Sequence, residues 1–435
     1  MPYRTIPNTD GHYFMLVVDQ QGDELAKDPD AQNGRLSRRL LQNLRDEAFT
    51  DLFISIHGWK GAIPDAIDQF DRWIGAFNRN HDDYQRMLAK RPGFKACHLG
   101  FHWPSLSWGD EHVSSGNSFA PTAHGTVEDR VAYHATELGD TPAVRDALRQ
   151  LFEEARTHAA SDVLTDNARQ AYLALNSALE LGANGQAGNG SADRETFDPD
   201  QAFESAGAIG IDFGGVSNSI LSPLRQLTFW TMKKRARVVG ERGLHKLLLE
   251  LQQARPELRI HLMGHSFGCI VASASLAGPE GKHPLPNPVD SCVLVQGALS
   301  HWAYASQIPY GTDTRGYFSQ LLSAQSVKGP LATTRSTLDY AVGRIYPWAA
   351  GVANQVTLDI APPRYGAIGA HGICGVTTVE YLKMLPASDA YTFKAGGIYN
   401  IDASAYIKDV SDGLSGAHND IDGKEVAHLI WEAAQ

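Results

Sequence analysis

The chain has 435 residues, 43% of them apolar and 20% charged, which is ordinary for a globular protein with a large core. Its formal net charge of -11 and its scattered basic residues argue against a broad surface for nucleic acid or anionic membranes. One basic cluster stands out, Lys-Lys-Arg-Ala-Arg at 233–237. It follows an apolar segment, so we expect it to cap or solvate a helix, with phosphate or membrane binding as the weaker alternative.

The four cysteines form no CxxC pair, and most lie in apolar runs. We therefore expect buried free thiols, which suit a reducing compartment. The N-terminal residues show no signal-peptide pattern. The sequence also lacks a run of about 18 or more apolar residues, which is the length a helix needs to cross a bilayer. A cytoplasmic location is expected, with export by a route that needs no signal peptide left open.

Neither a metal nor a cofactor is expected. His98 and His102 are four residues apart, but they lie on a predicted strand and loop, where that spacing does not make a ligand pair. The chain contains no dinucleotide-binding fingerprint and no phosphate-binding loop of the P-loop type.

The first half of the chain predicts alternating strands and helices. Residues 12–18 predict an opening strand, and 51–56 predict a buried parallel strand that ends in His-Gly-Trp. A helix with a proline in its first turn is predicted over 64–77. Residues 94–101 predict the next strand.

The pattern then changes between residues 105 and 225, where we predict no strand. Apolar residues at helical spacing over 127–181 indicate helices. We interpret 105–225 as a helical insertion, a cap or lid. The core is then formed by 1–104 and 226–435.

The second half returns to alternation, with a helix predicted over 224–251 and a closing amphipathic helix near the C-terminus. Four more strands are predicted, at 258–263, 292–298, 329–335 and 397–402. Strands that alternate with helices, several of them apolar on both faces, predict an α/β fold with a mainly parallel central sheet.

The strongest motif is Gly264-His265-Ser266-Phe267-Gly268, which lies between an apolar strand and a helix of small residues. A serine in this setting sits on a sharp strand-to-helix turn, and the glycines are needed because a Cβ would collide with the neighbouring strand and helix. We therefore predict that Ser266 is a nucleophile. The alternative is an inert serine on a glycine-rich turn.

A serine nucleophile needs donors for the oxyanion, and sites in open α/β sheets lie at the carboxyl ends of strands. His57-Gly58-Trp59 follows such an end. Gly58 lets the chain turn close to the reacting centre, so the backbone N–H groups of Trp59 and Phe267 are the predicted donors. We expect the His57 imidazole to shape this loop rather than to react.

The stretches Ile54–Trp59 and Gly264–Gly268 resemble the α/β-hydrolase superfamily, and within it the serine hydrolases of lipase or esterase type. The resemblance covers about 1–104 and 226–435. It implies an α/β-hydrolase fold and a Ser-Asp-His triad in the chain order nucleophile, acid, histidine.

The resemblance implies a histidine after the last strand, and His418 lies there. His371 is the serious rival, although it precedes that strand. His283 and His301 also follow Ser266, and His428 is expected to be structural on the polar side of the closing helix.

For the acid, the resemblance points to Asp339, after the 329–335 strand. Asp402 and Asp313 are rivals, and a carboxylate at a helix N-terminus is the alternative role for Asp339. About 80 residues separate Asp339 from His418, so we predict a second excursion near the active site at 345–395.

These features together predict a carboxylic ester hydrolase that acts through an acyl-enzyme on a small-molecule or lipid ester. A peptidase or amidase with the same residues, or a non-catalytic binding protein on this fold, are the alternatives. No nucleic acid and no stable membrane insertion are expected, and contact with a lipid interface through the lid is left open. Trp103, Trp108 and Phe119 are candidates for either an acyl pocket or the core.

Overall fold

A nine-stranded, mostly parallel sheet flanked by helices gives the protein an α/β fold, as the alternating pattern predicted. The computed structural model describes residues 3–59, 63–105, 126–158, 163–181, 193–208, 220–310, 314–351, 362–411, 413 and 415–435.

The strands are β1 (Tyr3–Thr5), β2 (His12–Val17), β3 (Asp51–Ile56), β4 (Ala96–His102), β5 (Arg259–His265), β6 (Ser291–Val295), β7 (Leu331–Arg335), β8 (Val379–Lys383) and β9 (Ile398–Asp402). The helices are α1 (Leu36–Asp46), α2 (Ile63–Arg79), α3 (His81–Lys90), α4 (Val127–Leu138), α5 (Pro142–Thr157), α6 (Asp166–Ala178), α7 (Pro199–Ala208), α8 (Pro223–Val239), α9 (His245–Ala254), α10 (Gly268–Ala277), α11 (Ser319–Ser323), α12 (Tyr346–Ala349), α13 (Ile368–His371) and α14 (Lys424–Ala433). A π-helical turn, Gly240–Leu244, joins α8 to α9, and another, Ala341–Ile345, precedes α12.

The strands lie in the order β1-β2-β4-β3-β5-β6-β7-β9-β8, and among the described pairs only β1 and β2 are antiparallel. Ile56 at the end of β3 pairs with Gly264 near the end of β5, and Arg335 at the end of β7 pairs with Asp402 at the end of β9. The carboxyl ends of the central strands therefore share one edge of the sheet, which is where ligands bind in open α/β sheets.

Helices cover both faces of the sheet. On one face, Phe53 of β3 packs in a cluster with residues of α2 and α14, where the Phe77 and Trp431 rings stack with centroids 4.0 Å apart. On the other face, α10 packs on β5 and beside the π-helical turn before α9. Gly240 makes that approach feasible, because a Cβ there would lie 2.5 Å from the Val271 carbonyl oxygen.

The chain divides into two compact units. The first contains the sheet and comprises Met1–Ser105, Arg235–Gly343 and Gly366–Gln435. The second comprises Leu106–Lys234 and Arg344–Tyr365. Its described residues form helices α4 to α7, the greater part of α8, and α12.

The basic cluster follows the prediction only in part: Lys234 is partly exposed and its Nζ donates at 3.1 Å to the carbonyl of Leu179, the C-cap residue of α6. Lys233 and Arg235 of this cluster are buried. Within the second unit, Lys233 Nζ lies 2.7 Å from Asp193 Oδ2, and the Tyr346 hydroxyl donates to Asp193 Oδ1 at 2.8 Å. Burial lowers the pKa of Lys233, and the Asp193 carboxylate opposes that shift. The lysine is thus half of a buried ion pair.

The sequence pattern missed strands β1 and β8. β8 lies inside the region 345–395 that was predicted to be an excursion, yet it pairs in parallel with β9 at the edge of the sheet. Its residues Val-Glu-Tyr-Leu-Lys show no apolar run, because an edge strand is partly exposed and often charged.

The four cysteines, Cys97, Cys269, Cys292 and Cys374, are buried free thiols, as predicted. Burial raises the pKa of each thiol. No helix in the described part of the chain is long and apolar enough to cross a membrane.

His428 is structural, as expected, but it is buried rather than on a polar side of α14. Its Nδ1 lies 2.8 Å from Asp83 Oδ1 and its Nε2 lies 2.6 Å from the Asp389 carbonyl oxygen. Neither oxygen can donate, so both ring nitrogens carry hydrogen and the ring is an imidazolium. Burial opposes this charge, but the hydrogen bond and charge of Asp83 outweigh it and raise the pKa of His428.

The raised pKa of His428 predicts a pH-dependent contribution to stability. The contribution is complete below the unfolded-state pKa of about 6.5 and is lost as the pH rises through the higher folded-state pKa. Relative to His428→Gln, the wild type should be more stable by about 2–3 kcal/mol near pH 6, and the difference should shrink toward pH 9. Urea unfolding of both proteins measures it. His81→Gln, at an exposed histidine, should leave the pH dependence unchanged, and a difference that grows with pH would contradict the ion pair.

Candidate active site

Ser266 lies on the sharp turn between β5 and α10, with φ +54° in the left-handed region. The flanking residues must be glycines, because a Cβ at either position would collide with a neighbouring carbonyl oxygen. A Cβ on Gly264 would lie 2.6 Å from the Gly268 carbonyl oxygen, and one on Gly268 would lie 2.3 Å from the Ile56 carbonyl oxygen. The turn is therefore compressed between its own helix and the end of β3, and it presents the serine at the carboxyl edge of the sheet.

Ser266, His418 and Asp339 form a continuous hydrogen-bonded array. His418 Nε2 lies 2.9 Å from Ser266 Oγ, and His418 Nδ1 lies 2.8 Å from Asp339 Oδ2. All three side chains are buried, with Asp339 only 2% exposed and Ser266 and His418 slightly more. The three residues predicted from the sequence are thus brought into direct contact.

The hydrogen-bond pattern fixes the tautomer of His418. The Asp339 carboxylate also accepts the Val342 N–H at 3.1 Å through Oδ1 and the Gln296 amide at 2.8 Å through Oδ2. It acts as an acceptor throughout, so the hydrogen of the neutral His418 imidazole is on Nδ1. Nε2 is left as the acceptor for the Ser266 hydroxyl, which is the arrangement that a general base needs.

The loops that carry the acid and the histidine are bonded to each other, although 79 residues separate Asp339 from His418 in the chain. The Ala417 N–H donates to the Leu338 carbonyl at 2.9 Å. Gly416 has φ +58°, and a Cβ there would lie 2.4 Å from the same carbonyl oxygen. The glycine therefore allows the histidine loop to lie directly against the acid loop.

A second anchor holds the histidine loop to the nucleophile turn. His265 Nε2 lies 2.9 Å from the His418 carbonyl oxygen, which can only accept, so this nitrogen carries the hydrogen. His265 Nδ1 is then the acceptor for the Gln69 side-chain amide at 2.9 Å. The residue before Ser266 thus fixes the backbone of His418, whose ring contacts Ser266.

The His57-Gly58-Trp59 loop lies against Ser266. A Cβ on Gly58 would be 2.7 Å from Ser266 Cβ. His57 Nδ1 donates to the Gly58 carbonyl at 2.8 Å. In a trans peptide the C=O and the next N–H point in opposite directions, so this bond directs the Trp59 N–H away from the His57 ring. His57 shapes the loop, as expected.

Phe267 begins the turn of α10 directly after the nucleophile, and its ring stacks on that of Trp59 with centroids 5.7 Å apart. Its N–H belongs to the amino end of α10, where the helix dipole favours negative charge. The two residues predicted to supply oxyanion donors therefore lie beside each other.

The rival site residues have other partners. The His371 ring lies 5.2 Å from that of His301, and burial, followed by the Arg335 charge, lowers the pKa of His371 to about 4. Asp402 pairs with Arg335 at 2.9 Å. His283 is exposed after α10.

Four other predicted residues concern the acyl pocket or the acid. Trp103 belongs to the core, where its Nε1 donates to the His57 carbonyl at 3.0 Å. Trp108, Phe119 and the rival acid Asp313 lie outside the described residues.

A second Ser-His-Asp array lies near the amino ends of the central strands β3, β5 and β6. His261 joins Ser291 Oγ at 2.8 Å and Asp51 Oδ1 at 2.9 Å, and Arg91 also pairs with Asp51. Burial opposes the charge of Asp51, but the bonds from His261 and Arg91 lower its pKa. Ser291 is the buried first residue of β6 rather than a turn before a helix, so this array stabilises the sheet.

Asp83, His428 and Glu432 are close enough to hold a metal ion, but their donor atoms are already used. Both His428 nitrogens are bonded as described above, Arg86 pairs with Asp83, and Glu432 accepts the Tyr391 N–H at 2.9 Å. This cluster is a buried charge network, and we infer no metal site from it.

Sequence reasoning missed three residues that support the array: Gln69, His265 and Gln296. For Gln69 and Gln296, the sequence contains a signal that could have identified each residue. Gln69 is a polar residue on the apolar face of α2, between Ala66 and Trp73. Gln296 directly follows an apolar parallel strand at its carboxyl end, where polar residues are available to a site.

The left-handed backbone of Ser266 predicts an unusual order of stabilities. Ser266→Gly should be more stable than Ser266→Ala by about 1 kcal/mol, because only glycine adopts φ +54° without strain. At Ser273, within α10, the order should reverse by about 1 kcal/mol, since glycine is the poorer helix former. Chemical unfolding of the four variants measures both differences. If Ser266→Ala were more stable than Ser266→Gly, as is expected at Ser273, Ser266 would not be on a strained turn.

The geometry brings a serine, a histidine and a carboxylate together at the carboxyl edge of a parallel sheet, with Gly58 packed against the serine. No protein-family model, no curated protein and no solved structure matches this chain.

Proposed function

We propose that this protein is a serine hydrolase of the α/β-hydrolase superfamily, of lipase or esterase type, that cleaves carboxylic esters. One observation carries the proposal: Ser266, on a left-handed strand-to-helix turn, is hydrogen-bonded to His418, whose other nitrogen is bonded to the buried Asp339. Residues that act as nucleophile, base and orienting acid need this order of contacts.

Chain order and topology support the same proposal. Ser266 follows β5, Asp339 follows β7 and His418 follows β9, which is the order nucleophile, acid, histidine that α/β-hydrolases use. A fold alone does not determine a function. The hydrogen-bonded array of Ser266, His418 and Asp339 therefore carries the proposal, together with the predicted donors beside it.

In the proposed reaction, Ser266 Oγ attacks the ester carbonyl carbon while His418 Nε2 accepts the hydroxyl proton. Asp339 stabilises the imidazolium that forms and keeps its orientation. When the tetrahedral intermediate collapses, the bond to the leaving alcohol breaks and His418 returns the proton to that oxygen. Water, deprotonated by His418, then hydrolyses the acyl-enzyme and regenerates Ser266.

The developing oxyanion would be stabilised by the N–H groups of Trp59 and Phe267. The Phe267 N–H has the added benefit of its place at the amino end of α10. The Gly58 carbonyl is bonded to His57, so the Trp59 N–H is held in place before the substrate arrives. Donors that are oriented in advance need no reorganisation during the reaction.

We further propose that the second unit acts as a lid that selects the substrate, a small-molecule or lipid ester. The support is its composition and its place in the chain. The described residues between 126 and 208 form four helices and no strand. The insertion begins shortly after the carboxyl end of β4. Ser266 also follows the carboxyl end of a strand, β5. Segments inserted at the carboxyl ends of the strands are suited to control access to the site.

Substitution of the array should abolish turnover of p-nitrophenyl esters. We expect Ser266→Ala to lower kcat by about 10⁴-fold or more, and Asp339→Asn by about 10⁴-fold, since the amide stabilises the wrong tautomer of His418. Ser291→Ala, in the structural array near the amino ends of the strands, is the matched control and should retain turnover in the folded protein. Wild-type ester hydrolysis by Ser266→Ala would refute the proposal, and faster turnover of peptide amides than of esters would favour a peptidase.

The lid proposal predicts a response that depends on the length of the acyl chain. A long-chain alkyl phosphonate attached to Ser266 should slow amide hydrogen exchange within 106–234, because the chain would contact the lid. A methyl phosphonate on the same serine is the control and should leave exchange there unchanged. Mass spectrometry of peptic fragments measures both. Equal exchange with the two adducts would show that this unit does not cover the bound acyl chain.

A further inference from the structure

We propose that Gln296 is a positioning residue, whose side-chain amide limits how strongly the His418–Asp339 pair holds the transferred proton. It does so by sharing the carboxylate oxygen that binds the imidazole. The inference rests on the proposed function, because it concerns how the general base of that reaction is held.

The key observation is that two donors share one oxygen. Asp339 Oδ2 accepts His418 Nδ1–H at 2.8 Å and the Gln296 amide Nε2–H at 2.8 Å. Each N–H that shares an anionic oxygen takes part of its charge. The Gln296 amide therefore weakens the attraction between the carboxylate and the imidazolium, and the proton is released more easily to the leaving group.

The orientation of the Gln296 side chain is determined by its other contacts. The Thr334 hydroxyl donates to Gln296 Oε1 at 2.9 Å and accepts the Gln296 backbone N–H at 2.9 Å. The amide oxygen therefore faces Thr334 and the amide nitrogen faces the carboxylate. Gln296 and Thr334 are both fully buried, so the amide has no competing water in this arrangement.

The backbone conformation of Gln296 is unusual for a glutamine. It follows β6 with φ +48°, a left-handed conformation that favours glycine or asparagine. Strained backbone of this kind clusters at functional sites. Gln296 therefore combines a strained backbone with a side-chain amide that is directed to the acid.

The other ionisable groups around the pair have fixed charge states or other partners. The His265 ring lies 4.9 Å from that of His418, and its nitrogens contact the His418 carbonyl oxygen and the Gln69 side-chain amide. Burial and the Arg335 charge lower the pKa of His371 to about 4, and it is neutral above that pH. Arg335 itself pairs with Asp402.

Gln296→Met tests the inference, because methionine has similar length and no hydrogen-bonding amide. Without the shared donor, His418 should hold its proton more tightly. The acidic limb of the kcat/KM profile should then move to higher pH by roughly 0.5–1 unit, with a kcat near neutral pH about tenfold lower and a nearly unchanged KM. Thr334→Val, which removes only the hydroxyl that orients the amide, should give a smaller shift in the same direction.

Gln252→Met is the matched control. Gln252 is a mostly buried glutamine on α9 that donates to the Asn287 carbonyl at 2.7 Å, remote from the array in the fold. Its loss should lower stability and leave the pH profile in place. If Gln296→Met behaves in the same way, with less activity or stability but no shift of the acidic limb, Gln296 has a structural role and the inference is overturned.

A second readout separates this inference from the proposed function. The low-field proton resonance of His418 Nδ1–H reports the hydrogen bond to Asp339 in proton NMR, whether or not the protein turns over an ester. Its titration midpoint should be higher in Gln296→Met or Thr334→Val than in the wild type. If no ester is hydrolysed but the midpoint shifts, the proposed function fails, while the effect of Gln296 on the proton held by the His418–Asp339 pair is still demonstrated. An unchanged midpoint in both variants overturns the inference in either case.

Discussion

The close contact of two chain segments around Ser266 is the constraint on which the rest of the site depends. The end of β3, with the His57–Trp59 loop that continues it, approaches the β5–α10 turn so closely that no additional methyl group fits at Gly58, Gly264 or Gly268. The packing holds Ser266 in a left-handed conformation that an L-residue adopts only at a cost of roughly 1–3 kcal/mol. The surrounding sheet supplies the stability that compensates this cost.

This constraint also explains why residues distant in the chain can meet. Ser266 and His418 are 152 residues apart, and each lies after a strand whose carboxyl end is at the same edge of the sheet. Parallel pairing brings these ends together, and hydrogen bonds between the loops refine the geometry. His265 bonds the His418 backbone, while Ala417 bonds the acid loop. The array is thus supported by backbone and side-chain contacts that do not take part in the proposed proton transfer.

The Asp51–His261–Ser291 array shows that hydrogen-bonded Ser, His and Asp side chains do not by themselves make an active site. It has similar distances, but it lies at the amino ends of the strands. Its serine begins a strand, so its backbone provides neither a turn nor a following helix terminus. What distinguishes Ser266 is the strained turn, the adjacent helix N-terminus and the neighbouring Gly58 peptide.

The sequence was sufficient to predict the alternating α/β pattern and the buried central strands, because apolar parallel strands are recognisable from their composition alone. It also pointed to Ser266, Asp339 and His418, which the structure joins, because motif and strand-end position are local properties. It failed for β8, whose exposed edge position removes the apolar signal. It missed Gln296 and misjudged Lys233, because the partner of a buried polar side chain is set by tertiary contacts that no local pattern encodes.

The most direct test of the account is to map where a fluorophosphonate attaches to the folded protein, by peptide mass spectrometry. The account predicts a single adduct, on the peptide that contains Ser266. The adduct should be lost in urea-unfolded protein and in His418→Ala, because only the folded array activates this hydroxyl. An adduct on another serine, or no adduct on the folded wild-type chain, would contradict the claim that Ser266 is a nucleophile.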